Sequence, residues 1–206
     1  SRVLNEPDRV TQETLKRVQD AAEALHYSPN TIARGLRRGM TGLIALLVGD
    51  VSQPFHGSLA QAVVTAAEES GIGVMLYDLA HSVSRLETVL NKLPQQGVDG
   101  AIIATADDIS TPPVHSAVDV CRAHGLAIVT GVEQPGVPGV TSVRTDLQAV
   151  TGLAVEALEA EGAENPVLLL NDRNGPIGRR LTEGGGDARV IEVGYEYERA
   201  ADAVRE

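Results

Sequence analysis

Between residues 43 and 170, short apolar runs of strand length alternate with longer amphipathic stretches, and this alternation restricts the fold more than any other feature of the chain. The runs are 43–48 (LIALLV), 73–77 (GVMLY), 100–104 (GAIIA), 126–130 (LAIVT) and 167–170 (VLLL). A strand with one wet face alternates polar and apolar residues; these near-continuous runs suit strands covered on both faces, as in a parallel sheet. The stretches between them, 57–70, 84–96, 114–124 and 147–161, have helical character. In the first, Ala60, Val63, Val64 and Ala67 repeat at i, i+3, i+4 and i+7, the spacing of one buried helix face. Gly71, Gly97, Gly125 and Gly162 each follow such a stretch, where a left-handed C-terminal residue is wanted. Further strands are expected at 140–144 and 189–193. The βαβα order predicts an α/β fold with parallel sheets.

Ligands of open parallel sheets bind beyond the carboxyl ends of the strands. The loops that matter are therefore 50–56, 78–82, 105–113, 131–139 and 171–178, rich in Asp, Asn, Ser and Gly; the first holds the only phenylalanine, Phe55. At 206 residues the chain suits one large domain or two small ones, and 43% hydrophobic with 22% charged residues is a globular composition. No apolar run approaches the roughly 20 residues of a membrane span, and no secretory leader pattern opens the chain. Cys121 stands alone, which excludes a disulfide framework and cysteine-based zinc modules and favours a reducing compartment. The chain opens on Ser1, inside an expected helix, so a fragment of a longer protein is expected.

The net charge of −11 argues against nucleic acid until it is divided along the chain. Residues 1–42 hold seven basic against five acidic side chains, and the remaining 164 hold ten against 23. A mildly basic head on an acidic body suggests an arm with a partner of its own.

Enzymatic signatures are missing. After the first strand comes Gly49-Asp50-Val51-Ser52-Gln53-Pro54, not the G-x-G-x-x-G of a dinucleotide site. Gly175-Pro176-Ile177-Gly178-Arg179-Arg180 lacks the lysine and hydroxyl of a phosphate-binding loop. The five histidines have no zinc-hydrolase spacing, and no G-x-S-x-G elbow occurs. No enzyme and no cofactor are expected. His115 and His124 read as solvated helix faces, whereas His56, beside Phe55 at a strand-to-helix loop, suits either ligand contact or a surface or capping role.

In the head, Thr11 is placed to cap a helix whose Val18, Ala21, Ala22 and Leu25 form an apolar face too small to bury alone. Pro7 ends an element before it, and Ser28-Pro29-Asn30 starts a short helix over 31–38 carrying Arg34, Arg37 and Arg38. The strings SRVLN, RVQDAAEALHYSPN and ARGLR, with Pro7, Val10 and Thr14, resemble the DNA-binding head and hinge helix of the LacI/GalR family of bacterial transcription regulators. DVSQPFHGSLAQAVVTAAEESG, VDGAII and TDLQAVTGLAVEAL extend the resemblance over nearly the whole chain.

The resemblance implies a partial helix-turn-helix head (1–27), a hinge helix and linker (28–42), and a periplasmic-binding-protein-like core of doubly wound parallel sheets. The core divides into a first lobe (43–145) and an incomplete second lobe (146–206). It further implies a cytoplasmic homodimer, with no membrane role, whose hold on operator DNA is governed by a small effector, a sugar or nucleoside. Arg2 would reach a base edge, its fork matching guanine. Thr14, Tyr27 and Asn30, with Arg9, would hold phosphates, and Asn5 lies in the same recognition-helix end. Leu36 would wedge into the minor groove with Ala33 on its floor, although packing against the body is the alternative for Leu36. The effector would sit among Ser52, Phe55, His56, Asp146, Asn174, Arg179 and Arg180, with Arg180 preferred to Arg179; a helix N-cap is the alternative for Asp146 and can coexist with ligand contact. Segments 52–56, 146 and 174–180 are thus expected to converge. Family members also carry a longer helix after Arg180, so Gly184-Gly185-Gly186 marks a deletion or a skipped segment. The rival reading is a solute-binding protein of the same core fold with no role at DNA.

Overall fold

The computed structural model describes residues 10–25, 39–131, 137, 139–194 and 197–205. The chain divides into two units, Ser1–Thr41 and Gly42–Glu206. In the first, α1 (Gln12–Ala24) begins at Thr11, whose hydroxyl accepts from the Thr14 backbone N–H at 3.4 Å and so satisfies one of the first-turn donors. The helix ends at Leu25, whose side chain is exposed. The expected elements over 1–5 and 31–38, and with them Arg2, Asn5, Arg9, Tyr27, Asn30, Ala33 and Leu36, lie outside the described residues.

The second unit opens with β1 (Leu43–Val48), α2 (Pro54–Glu69), β2 (Gly73–Asp78) and α3 (Val83–Lys92), which runs into a 3₁₀ turn at Leu93–Gln95. There follow β3 (Gly100–Ala104), α4 (Pro112–Ala123), β4 (Ala127–Thr130) and the two-residue β5 (Thr141–Ser142). These five strands form one parallel sheet in the order β2-β1-β3-β4-β5. After it come α5 (Leu147–Ala160), β6 (Val167–Leu170), α6 (Pro176–Gly184), β7 (Arg189–Glu192) and α7 (Tyr197–Arg205). β6 and β7 pair in parallel as a second sheet, from Val167 opposite Arg189 to Leu170 opposite Glu192.

β1 shows why its sequence has no polar alternation. Ala45 and Leu47 join a core built with Leu86, Leu90, Val114, Val118 and Cys121 of α3 and α4. Leu46 and Val48 face the other way, with Ala104, against Leu59, Ala60 and Val63 of α2. All four of these β1 residues are fully buried, so the run is apolar because both of its faces are covered.

Several boundaries depart from the sequence reading. α2 starts at Pro54, not residue 57: the fixed φ of proline suits a first helical turn, and this carries Phe55 and His56 out of the loop and into the helix. Val64 is exposed and not part of the buried face, which is formed by His56, Ala60, Val63 and Ala67. At about 100° per residue, Val64 lies at the flank of that stripe. The α-helical part of α3 stops at Lys92, because Pro94 has no N–H to continue the ladder. α4 starts at Pro112, two residues earlier than expected. β4 starts at Ala127, because the Leu126 N–H is spent on the Cys121 carbonyl at the end of α4. β5 is shorter than 140–144, since only Thr141 and Ser142 find ladder partners, on Val129 and Thr130. β7 ends at Glu192.

The expected left-handed glycines are all present, with φ of 68° at Gly71, 65° at Gly97, 85° at Gly125 and 92° at Gly162. Past α6, Gly185 caps the helix and Gly186, at φ 56°, turns the chain into β7. The nine-residue α6 is thus long enough to return β7 beside β6. It packs on α5 so closely that a Cβ at Gly184 would lie 2.1 Å from the Gln148 carbonyl oxygen.

Candidate functional site

In the order β2-β1-β3, chain leaving β1 turns to α2 on one face while chain leaving β3 turns to α4 on the other, so the strand ends part between β1 and β3. The residues that follow them are knitted together. His56 Nδ1 lies 3.0 Å from the Asp50 carbonyl oxygen and 3.4 Å from the Asp50 backbone nitrogen, and the ring is buried, in edge-to-face contact with Phe55 at 5.4 Å between centroids. Asp50 Oδ1 accepts from the Ser52 backbone N–H at 2.8 Å and from its hydroxyl at 2.7 Å. These two bonds, the hydroxyl's first, hold the Asp50 carboxyl below its usual range, with His81 and His56 adding to the effect. Gly49 has no room for a side chain: a Cβ there would lie 2.9 Å from the His81 ring, 3.0 Å from that of His56 and 3.1 Å from the Thr105 hydroxyl.

His81, at φ 52°, follows β2. Its Nδ1 lies 3.3 Å from Asp107 Oδ1 and its Nε2 2.8 Å from Gln53 Nε2. Asp107 Oδ2 accepts from the Thr105 hydroxyl, which in turn accepts from the Asp107 N–H at 3.2 Å. Asp107 thereby joins the segment after β3 to those after β1 and β2.

Beyond Asp107 opens a cleft of about 200 Å³. One wall is Val83, Ala106, Asp107 and Asp108; the other comes from the end of β6 and the start of α6, including Leu170, Asp172, Gly175 and Ile177. The two sheets therefore present their carboxyl ends to one crevice, with acceptor groups set among apolar side chains. Asp108 Oδ1 accepts from the Ser110 hydroxyl at 2.5 Å and its N–H at 2.9 Å. The hydroxyl above all, then the N–H, Arg179 and His115, hold the Asp108 carboxyl below its usual range. Behind it, Thr111 Oγ1 and His115 Nε2 are buried without a hydrogen-bond partner among the described residues. His115 is thus not the solvated residue its sequence position suggests; His124 is exposed and donates from Nδ1 to the Val120 carbonyl at 2.8 Å.

Of the three segments expected to meet, 174–180 lines the cleft, through Gly175, Ile177 and Gly178. The Asn174 N–H donates to Asp172 Oδ1 at 2.8 Å, and Arg179 Nη1 donates to the Asn174 carbonyl. Arg179 and Arg180 are both exposed. Ser52, Phe55 and His56 are not in the lining; their segment reaches it only through Gln53, His81 and Asp107. Phe55 is 63% exposed. Asp146 is also outside the lining and caps α5, accepting from the Ala149 N–H at 3.0 Å. In the head, Thr14 is half-buried and its hydroxyl lies 2.9 Å from that of Thr11. The sequence reading passed over Asp107, Asp108 and Asp172, although paired aspartates directly after the apolar run 100–104 were a usable signal. Among the described residues no group of three or more His, Cys, Asp or Glu is placed to hold a metal ion, and no helix is long and apolar enough to cross a membrane.

Residues 1–30 match the model of bacterial regulatory proteins of the lacI family. The chain is 37% identical to the ribose operon repressor of Halalkalibacterium halodurans over 52% of its own length and 32% of the relative's. It is 29% identical to the maltose regulon regulatory protein MalI of Escherichia coli over 96% of its own length and 56% of the relative's. It therefore spans less than two thirds of these relatives. A crystal structure of the lac repressor dimer bound to operator and the anti-inducer ONPF superposes with a TM-score of 0.77, covering 98% of this chain and 63% of that one at 20% identity, a likeness of fold. The model of periplasmic binding proteins and the sugar binding domain of LacI family matches residues 41–203, four fifths of the sequence, and the chain belongs to that family.

Proposed function

We propose that this protein is a DNA-binding transcriptional regulator, a repressor, whose affinity for operator DNA is set by a small molecule held between the ends of its two sheets. The observation that carries this reading is the union in one chain of a lacI-type regulatory segment at 1–30 with a sugar-binding type of core at 41–203. A solute-binding protein has no use for the first. Relatives named for ribose and maltose systems support a sugar as effector, with a nucleoside as the alternative.

In this reading residues 1–27 belong to the helix-turn-helix head, 28–42 to the hinge, 43–145 to the first lobe and 146–206 to the second. Arg2, Asn5, Arg9, Thr14, Tyr27 and Asn30 meet DNA from the major-groove side, and Ala33 and Leu36 enter the minor groove. Asp107, Asp108 and Asp172 receive ligand hydroxyls, with Asn174, Arg179 and Arg180 at the rim. Ser52, Phe55, His56 and Asp146 complete the site when the lobes close. The protein works as a cytoplasmic homodimer without enzymatic activity or cofactor.

The test is a gel shift of the full-length protein on a pseudo-palindromic site selected from random DNA, with and without ribose, maltose or adenosine. Specific binding that one of these ligands alters is expected, and Arg2→Ala should weaken it by about 1–3 kcal/mol while sparing random DNA. Failure to select any site would sink the reading.

A further inference from the structure

The hydrogen-bond pattern around His81 fixes more than a fold contact. Asp107 Oδ1, 3.3 Å from the His81 Nδ1, belongs to a carboxylate and accepts, so Nδ1 carries a proton, and the Gln53 side chain, 2.8 Å from Nε2, then offers its amide N–H to that nitrogen. A neutral ring protonated on Nδ1 accepts at Nε2. The Thr105 hydroxyl holds the other carboxylate oxygen. His81 and Asp107 side chains are each only 14% exposed, yet Asp107 lines the cleft. A carboxylate oxygen has two acceptor sites, so Asp107 can keep these bonds and still accept a ligand hydroxyl at the cleft wall. The left-handed backbone at Ala80 and His81, unusual for residues with a Cβ, carries the ring into this place, and the absence of a Cβ at Gly49 makes room for it.

We propose that His81 is a positioning residue for the effector cleft: locked by Gln53 with its proton on Nδ1, it holds Asp107 as the acceptor for a hydroxyl of a polyol or nucleoside ligand. This rests on the effector-cleft reading above. It gives Gln53, whose side chain makes no cap bond for α2, a role in reading the ligand.

The test has two arms on the full-length protein. Long-range proton–nitrogen correlation spectra of the histidine rings, without ligand, should show His81 protonated at Nδ1, and Gln53→Glu, which puts an acceptor where the donor stood, should remove that preference. A ring protonated at Nε2 in the unsubstituted protein overturns the proposal. In the second arm, ribose, maltose and adenosine are titrated calorimetrically. The ligand that binds should do so about tenfold or more weakly to His81→Ala, through loss of a charge-assisted hydrogen bond. His81→Asn, whose amide can donate from the Nδ1 position, should recover affinity to within about threefold at the same loss of thermal stability. Binding undiminished in His81→Ala overturns the positioning role and leaves the cleft standing; no binding by the unsubstituted protein overturns the cleft reading, and this proposal with it.

Discussion

At the scale of single residues, two glycines with helical neighbours illustrate opposite demands. A Cβ on Gly178 would lie 1.9 Å from the Asp172 carbonyl oxygen, so α6 can press on the loop that forms the cleft wall only if this residue has no side chain. Gly178→Ala should destabilise by about 1–3 kcal/mol in urea unfolding, an overpacking cost. Gly57 in α2 meets nothing closer than the Val51 carbonyl at 3.9 Å, and Gly57→Ala should stabilise by about 0.5–1 kcal/mol in the same measurement. The Asp108 carboxyl makes a different prediction. Because Ser110 holds it below its ordinary value of 3.8, the stabilisation is present above that value and is lost as pH falls through the lower folded value. Ser110→Ala should therefore move the carboxyl upward in a carbon-13 titration, and the stability gap between the two proteins should close on the acid side of about pH 4.

At the scale of elements, helix entry is decided by short polar signals. The Asp146 carboxylate occupies one first-turn donor of α5, and Asp146→Ala should cost about 1 kcal/mol, measured by denaturant unfolding, whereas Asp146→Asn should stay within a few tenths. This cap stands between the last strand of the five-stranded sheet and β6 of the second sheet, so the helix that joins them is set by a residue also proposed at the site. α2, by contrast, starts without any side-chain cap bond and depends on Pro54. The consequence reaches the site: its first turn holds His56 against the Asp50 carbonyl, and Gln53 stands just ahead of it within reach of His81.

At the scale of the molecule, stability is distributed unevenly. The five-stranded sheet buries Ala45–Val48 and Ile103 almost completely, while β6 and β7 form a two-stranded sheet in which Val167 and Leu169 are 42% and 40% exposed. Two strands alone are marginal, so amide exchange should be slowest in β1 and β3 and faster by orders of magnitude in β6 and β7. Equal protection in both sheets would contradict this ordering. The cleft lies between the wall expected to exchange slowly and the one expected to exchange fast.

The sequence by itself determined the strand and helix order, the parallel sheet and the four glycine turns, because each follows from local chemistry: apolar run length, periodicity, and the conformations open to Gly and Pro. It also offered Thr11 and Asp146 as caps, Asp146 as one of two readings, since a cap is read within four residues. Tertiary structure alone decided which carboxylates line the cleft. Ser52, Phe55 and His56 follow the first strand, where Pro54 draws two of them into a helix, turning His56 inward and leaving Phe55 in solvent. Asp107 reached the lining because its partners come from residues 26 and 54 positions away, His81 and Gln53, one bonded directly and the other through it. No local pattern encodes that meeting. It follows from the order β2-β1-β3, which brings three strand ends side by side, and from the space left by a glycine at position 49.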